Sequence, residues 1–364
     1  MPPSHKPAAH PRSRALPLLA GSAAFLAACA LVVRHQTRKV EAEHPPKGRF
    51  VEVDGVRLHC LERGDPGAPA LVMLHGNGAT VDELLLSGLV ARAAVRYRVI
   101  AFDRPGYGHS DPPRAGQREP AAQARLILRA LQQMGVQRPL LFGHSWGTLV
   151  ALEMALQAPQ RVRALVLASG YYRPGPRLDV AWLGAPALPL LGRLLRHTVS
   201  PLLSRLLWRG FTWRQFSPRE VTEPFRSQYP VWMSLRPRQL QASAAESALM
   251  VPAAWQLRSR YGELRMPLVL VGGQADRMVR TAWHSAFVLQ AVPGSELRVV
   301  PGAGHMVHHV ATHEVLKAID QAAARSGEPH WPKRSASPML KGAGGRAAPP
   351  PEAPPPPCNG RRPP

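Results

Sequence analysis

Residues 139–157 read PLLFGHSWGTLVALEMALQ. An apolar, strand-like run gives way to an Ala/Leu-rich helical run, and Gly143-His144-Ser145-Trp146-Gly147 occupies the junction. A bare G-x-S-x-G string is weak. Set between a strand and a helix, it predicts a turn so sharp that side chains flanking the serine would collide, hence the glycines. Such a turn exposes the Ser145 hydroxyl above the sheet, and the helix N-terminus behind it favours developing negative charge.

Outward from this junction the same rhythm repeats. FVEV and RLHCLE flank Asp54-Gly55 and predict an antiparallel hairpin. ALVMLH, YRVIAFD, PLLFGHS, RALVLASG, PLVLVGG and ELRVVPG are short apolar runs suited to strands buried on both faces. Helical patterns over residues 118–134, 146–157, 281–290 and 312–324 separate them. This alternation predicts an α/β class with a largely parallel sheet and crossover helices. Residues 170–264 break the rhythm with Leu/Trp/Arg/Pro-rich helical pieces, including Trp182, Trp208, Trp213, Trp232 and Trp255, and predict a helical lid.

The termini differ in kind. Residues 1–14 form a polar tail, and residues 15–33 (ALPLLAGSAAFLAACALVV) are an uncharged run of bilayer-spanning length, with basic residues on both flanks. A single-span membrane anchor is the preferred reading. A cleaved signal or a lipoprotein, with Leu26-Ala27-Ala28-Cys29 as its lipobox, is the alternative. Apolar residues continue past Cys29, where a mature lipoprotein turns polar. Charge on both flanks leaves the side of the membrane open. Residues 34–49 are expected to form a polar linker, and residues 326–364 a disordered Pro/Arg-rich tail.

Net charge is +23 over 364 residues. Basic residues are scattered rather than interleaved with aromatics, so no nucleic-acid partner is expected. The three cysteines, Cys29, Cys60 and Cys358, lack C-x-x-C spacing, and neither a metal site nor a disulfide framework is expected. Gly106-x-Gly108 lacks the third glycine and the following acid of a dinucleotide loop. No cofactor is implied.

Over about residues 50–324 the chain resembles the α/β-hydrolase superfamily. The resemblance implies a mostly parallel eight-stranded sheet with helices on both faces, a core of residues 50–169 and 265–325, and a lid at 170–264. It also implies a catalytic triad in the order Ser, acid, His. Ser145 is then the nucleophile, Asp276 in LVLVGGQADRMV the acid, and His305 in LRVVPGAGHMVHH the base. Ser169-Gly170 offers no carboxylate at the alternative acid position after the sixth strand. His308 and His309 fall in the next helix and are read as local structure, and Asp103 as a structural carboxylate. By the same resemblance, the backbone N–H groups of Asn77 and Trp146 form the oxyanion hole.

The chemistry requires each part. A serine hydroxyl needs an imidazole to take its proton, the imidazole needs a carboxylate to fix its tautomer, and the oxyanion needs preorganised donors worth roughly 3 kcal/mol each. A serine rather than an aspartate at the elbow implies an acyl-enzyme route. The expected function is a carboxylesterase or lipase-like hydrolase acting on a small lipophilic ester. Alternatives are an aminopeptidase of the proline-iminopeptidase kind, with Glu220, Glu223 or Glu246 receiving the amine, an acyltransferase, a C–C bond hydrolase, or a non-catalytic binding protein.

Overall fold

The computed structural model describes residues 12–113, 117–176 and 184–327. Most of the expected N-terminal tail, nearly all of the C-terminal tail, and Trp182 lie outside the described residues.

Strands β1 (Arg49–Val53) and β2 (Val56–Arg63) pair antiparallel as expected. Asp54 and Gly55 between them both have positive φ, at 52° and 72°, the turn whose twist matches a two-residue hairpin. Strands β3 (Ala70–Leu74), β4 (Arg98–Phe102), β5 (Leu140–His144), β6 (Ala164–Ala168), β7 (Leu268–Gly273) and β8 (Glu296–Val300) complete an eight-stranded sheet. The order is β1-β2-β4-β3-β5-β6-β7-β8, parallel from β4 onward. The chain moves one way from β3 to β4 and the other way to β5, so the carboxyl ends of β3 and β5 flank a topological switch point. Open α/β sheets bind ligands there.

Alternation along each strand feeds two cores. Val72, Leu74 and Leu141 join the cluster on one face, and Leu71, Met73, Leu140 and Phe142 that on the other. Helices α2 (Val81–Leu86), α3 (Leu89–Ala93), α4 (Pro120–Gln133) and α5 (Trp146–Gln157) follow the first strands. Val90 of α3 packs in the second cluster, and Leu126 of α4 and Leu149 of α5 in the first.

Between β6 and β7 the described chain holds no strand. It forms α6 (Leu190–His197), α7 (Val199–Phe216), α8 (Glu223–Gln228), α9 (Val231–Ser234) and α10 (Pro237–Leu257). After β7 come α11 (Thr281–Ala291), α12 (Val307–Val310), which carries His308 and His309, and α13 (Thr312–Arg325).

The N-terminal segment departs from the expected linker. Helix α1 runs from Arg12–Glu43 without a break, so residues 34–43 are helical. No proline follows Pro17 until Pro45-Pro46, and a residue before proline is driven out of the helical region. Cys29, Val33 and Val40 form a buried stripe on one face of α1, which packs against α6, α7 and α9 of the lid. Glu41 at the end of that stripe lies 2.8 Å from the buried guanidinium of Arg236.

Candidate active site

The turn at residues 143–147 is as tight as its glycines imply. A Cβ on Gly143 would sit 2.5 Å from the carbonyl oxygen of Gly147, and one on Gly147 2.4 Å from that of Leu74. Ser145 has φ 52° and ψ −117°, a conformation that costs a non-glycine residue about 1–3 kcal/mol and persists only where surroundings enforce it. Here the Ser145 N–H donates to the Ala168 carbonyl at 2.9 Å, and the Ser145 carbonyl accepts from the N–H and hydroxyl of Thr148 at 3.0 and 2.6 Å. Trp146 is the first residue of α5, where a backbone N–H has no intrahelical acceptor.

Asp276 and His305 come from the loops after β7 and β8. Nδ1 of His305 lies 2.8 Å from Oδ2 of Asp276. The other carboxylate oxygen accepts the N–H groups of Met278 and Val279 at 2.8 and 2.9 Å. Both side chains are buried. Ser145, His305, Gly76 and Asn77 line one cavity of about 310 Å³. The five expected site residues therefore fall into two directly described groups: an Asp276–His305 pair, and a cavity wall holding Ser145, His305 and Asn77, with Trp146 adjoining.

The cavity is roofed by the lid. Leu207, Trp208 and Phe211 of α7, Phe225 of α8, and Met250 of α10 line it together with Met278 and Val279. No lysine or arginine lines it among the described residues.

Three supports hold these residues in place. Arg104 and Glu246 form a buried ion pair between the loop after β4 and lid helix α10. Arg104 also donates to the carbonyls of His75 and Gly76 at 2.9 and 3.0 Å, and the Tyr107 hydroxyl donates to Glu246 at 2.7 Å and lies 3.0 Å from the Asn77 side-chain oxygen. The Asn77 amide donates in turn to Ser243 and Ser247 on α10, both at 3.1 Å. The loop carrying the candidate oxyanion donor is thus tied to core and lid at once. Arg104 stands beside the Gly106-x-Gly108 stretch, but its partner 142 residues away leaves no mark in the sequence.

His144 supplies the second support. Its Nε2 donates to the carbonyl of His305 at 3.1 Å, and burial holds the imidazole well below its ordinary pKa, so it stays neutral. The third is lid residue Gln215, whose carbonyl accepts the N–H of His305 at 2.9 Å. His75 is likewise neutral, lowered to about 3 by burial and the nearby Arg104. Its Nε2 accepts the N–H of Arg104 at 3.0 Å.

Glu83 also lines the cavity, and its Oε1 accepts from Nε2 of both His308 and His309. Burial pushes Glu83 up, but the two histidines outweigh it and hold the carboxyl well below the usual range. These three side chains could ring a metal ion by distance. Among the described residues, Nδ1 of His308 and Oε2 of Glu83 have no hydrogen-bond partner, so no acceptor orients His308 as a metal-ligating histidine is ordinarily oriented. Asp103 is separate from the cavity. It accepts from Val81 N–H at 2.8 Å and His109 N–H at 3.0 Å and contacts His59 Nδ1 at 2.7 Å.

The family model for the alpha/beta hydrolase fold matches residues 69–312. The chain belongs to the α/β-hydrolase family. A 2-hydroxy-6-oxononadienedioate/2-hydroxy-6-oxononatrienedioate hydrolase from Cupriavidus pinatubonensis is 30% identical over 264 residues, covering 71% of this chain and 88% of the relative. Among solved structures, a membrane phospholipase A has a TM-score of 0.59 at 21% identity, covering 84% of this chain and 96% of that one. A carboxylesterase from Bacillus subtilis has a TM-score of 0.58 at 18% identity, covering 80% and 97%. At such identities the structures share the fold. This α/β-hydrolase is a hydrolytic enzyme, and its eight-stranded sheet agrees with the architecture expected from sequence.

Proposed function

We propose that this α/β-hydrolase is a membrane-anchored serine esterase, lipase-like in taking uncharged apolar acyl esters. Ser145 attacks the ester carbonyl while His305 takes its proton and later protonates the leaving alcohol. Asp276 fixes the imidazole tautomer and stabilises the imidazolium. The N–H groups of Asn77 and Trp146 receive the oxyanion. Water activated by His305 then releases the acid from the acyl-enzyme.

The observation that carries this reading is the wall of the cavity over Ser145. Its largest contributors are leucine, methionine and aromatic side chains, joined by Glu83 and several serines, with no lysine or arginine among its described residues. A buried anionic substrate group needs a paired cation. The C. pinatubonensis relative is named for a dicarboxylate, whose two anions find no such partner here, so C–C cleavage of such diacids is the weaker reading. An aminopeptidase would need a free carboxylate facing the scissile bond. Glu246 is consumed by Arg104 and Tyr107, Glu220 and Glu223 do not line the cavity, and Glu83, which does, is held by His308 and His309.

A fluorophosphonate probe tests the nucleophile. Wild-type protein should carry the adduct on Ser145, and Ser145→Ala should lose both labelling and ester turnover, the latter by about 10⁴ to 10⁶. Turnover of the alanine variant above about a hundredth of wild type would assign the nucleophile elsewhere. Across p-nitrophenyl esters, uncharged acyl groups should outrun carboxylate-bearing ones of equal length.

A further inference from the structure

Helix α7 carries large apolar residues on two opposite sides. Ser204, Trp208, Thr212 and Phe216 recur every fourth residue and face inward, the first two onto the cavity. Leu203, Leu206 and Trp213 face outward, Leu206 at 78% and Trp213 at 59% exposure. A surface helix ordinarily turns polar residues to that side. Helix α6 repeats the pattern with Leu190 at 87%, and with Leu191 and Leu194 also exposed. Single exposed leucines are ordinary, whereas a run over two consecutive helices marks a surface that something covers.

Helix α1 indicates what covers it. Its apolar run ends at Val33, and Arg34 follows. Lid helices bury Cys29 and Val33, while Leu18, Leu19, Phe25 and Leu31 stay exposed. At ~1.5 Å per residue, Cys29 lies about 7 Å inside the end of that run. A lid that covers Cys29 therefore reaches into the layer the run occupies, at about the 5–10 Å depth of an interfacial helix. Exposed Arg193, Arg205 and Arg209 accompany the leucines, complementary to anionic headgroups. A second copy of the chain on a two-fold axis would instead set these arginines against their own equivalents.

Leu207 and Phe211 belong to both surfaces, being exposed and also lining the cavity over Ser145. We infer that the α6–α7 face docks into an anionic phospholipid leaflet, and that the acyl substrate enters the cavity from that leaflet past Leu207 and Phe211. The inference rests on the reading of α1 as a membrane anchor and of the cavity as an ester site.

Leu190 and Leu206 do not line the cavity, so the full chain carrying Leu190→Asp and Leu206→Asp tests the docking alone. It is reconstituted in vesicles of equal parts phosphatidylcholine and phosphatidylglycerol, and also held in detergent. Turnover of a long-chain acylglycerol dissolved in the vesicles should fall more than about tenfold, since two leucines lose their apolar cover. Turnover of water-soluble p-nitrophenyl acetate in detergent should be unchanged. An unchanged vesicle rate would overturn the docking. Should both rates fall together, wild-type fluorescence decides. Phospholipids brominated on their acyl chains should quench the emission, and Trp213→Phe should remove the quenched component. Absence of that component would also overturn it, as would a detergent-solubilised mass of two chains that Leu206→Asp reduces to one. Quenching without turnover of any ester would leave the docking standing and sink only the esterase reading.

Discussion

At the scale of single residues, two buried carboxylates make the sharpest contrast. Asp276 contacts the imidazole of His305 and is fixed by two backbone N–H donors. Asp103 is held just as firmly, but by Val81, His109 and His59, none of which reaches Ser145. Replacing either by asparagine separates catalysis from folding. Asp276→Asn favours the wrong imidazole tautomer, and kcat is expected to drop by about 10⁴ with little change in KM. Asp103→Asn turns an acceptor into a donor facing donors, and should cost about 1–3 kcal/mol of stability while the folded fraction keeps its turnover. Steady-state kinetics with thermal midpoints on both variants checks this. A larger kcat loss for Asp103→Asn in folded protein would exchange the assignments.

At the scale of elements, α1 packs on the lid. Its C-terminal turns cover the lid, and Glu41 faces Arg236, a buried guanidinium that also donates to the carbonyls of Gly108 and Met233. Burial and the neighbouring Arg238 lower Arg236 to about 10, against the pull of Glu41. Glu41 is itself 42% exposed, so solvent screens the pair, and Glu41→Gln should cost only about 1 kcal/mol. A chain starting at Pro45 loses that partner and the cover over the lid together. In the same detergent it should melt clearly below full-length protein and bind vesicles only in a salt-dependent way. Equal thermal midpoints would mean that α1 contributes nothing to the fold. The Arg104–Glu246 pair is a different case because both side chains are buried. Glu246→Ala strands a buried cation, at a cost of about 3–5 kcal/mol, and frees the Asn77 loop, so stability and kcat should fall together.

At the scale of the whole molecule, buried ionisable groups set the response to pH. His75, His144 and His309 are all lowered, by burial first, so the unfolded chain binds more protons below its ordinary histidine pKa of about 6.5. Stability therefore falls as pH drops below that value. Glu83 and Asp103 are lowered because their histidine partners outweigh burial. Their contribution is present above the unfolded carboxylate pKa and is lost as pH falls through the acidic range. Both sets act with the same sign, so the thermal midpoint should decline steadily from pH 7 to pH 4. A midpoint that held level or rose over that range would contradict these protonation states. The other molecular-scale expectation concerns α1. Full-length protein should stay with membranes through a carbonate wash, because a spanning helix is held by apolar burial and not by charge. Release at full mass would remove the anchor, and a product beginning near Cys29 or Leu31 would show a cleaved signal.

The sequence by itself determined the hydrolase fold, because strand–helix alternation and a glycine-flanked serine are local patterns that a short window reveals. It also exposed the apolar run near the N-terminus, which depends on composition alone. It missed the helix that carries this run on to Glu43, since the charged residues after Val33 look like a linker until the lid stands beside them. Only the tertiary structure decided which carboxylates were already engaged. Glu246 reads as a candidate amine receptor until the chain folds Arg104 against it, because an ion pair 142 residues apart leaves no periodic trace. The same holds for α7, whose outer leucines look like core residues in sequence, whereas in the fold they stand exposed and Ser204 and Trp208 face the cavity.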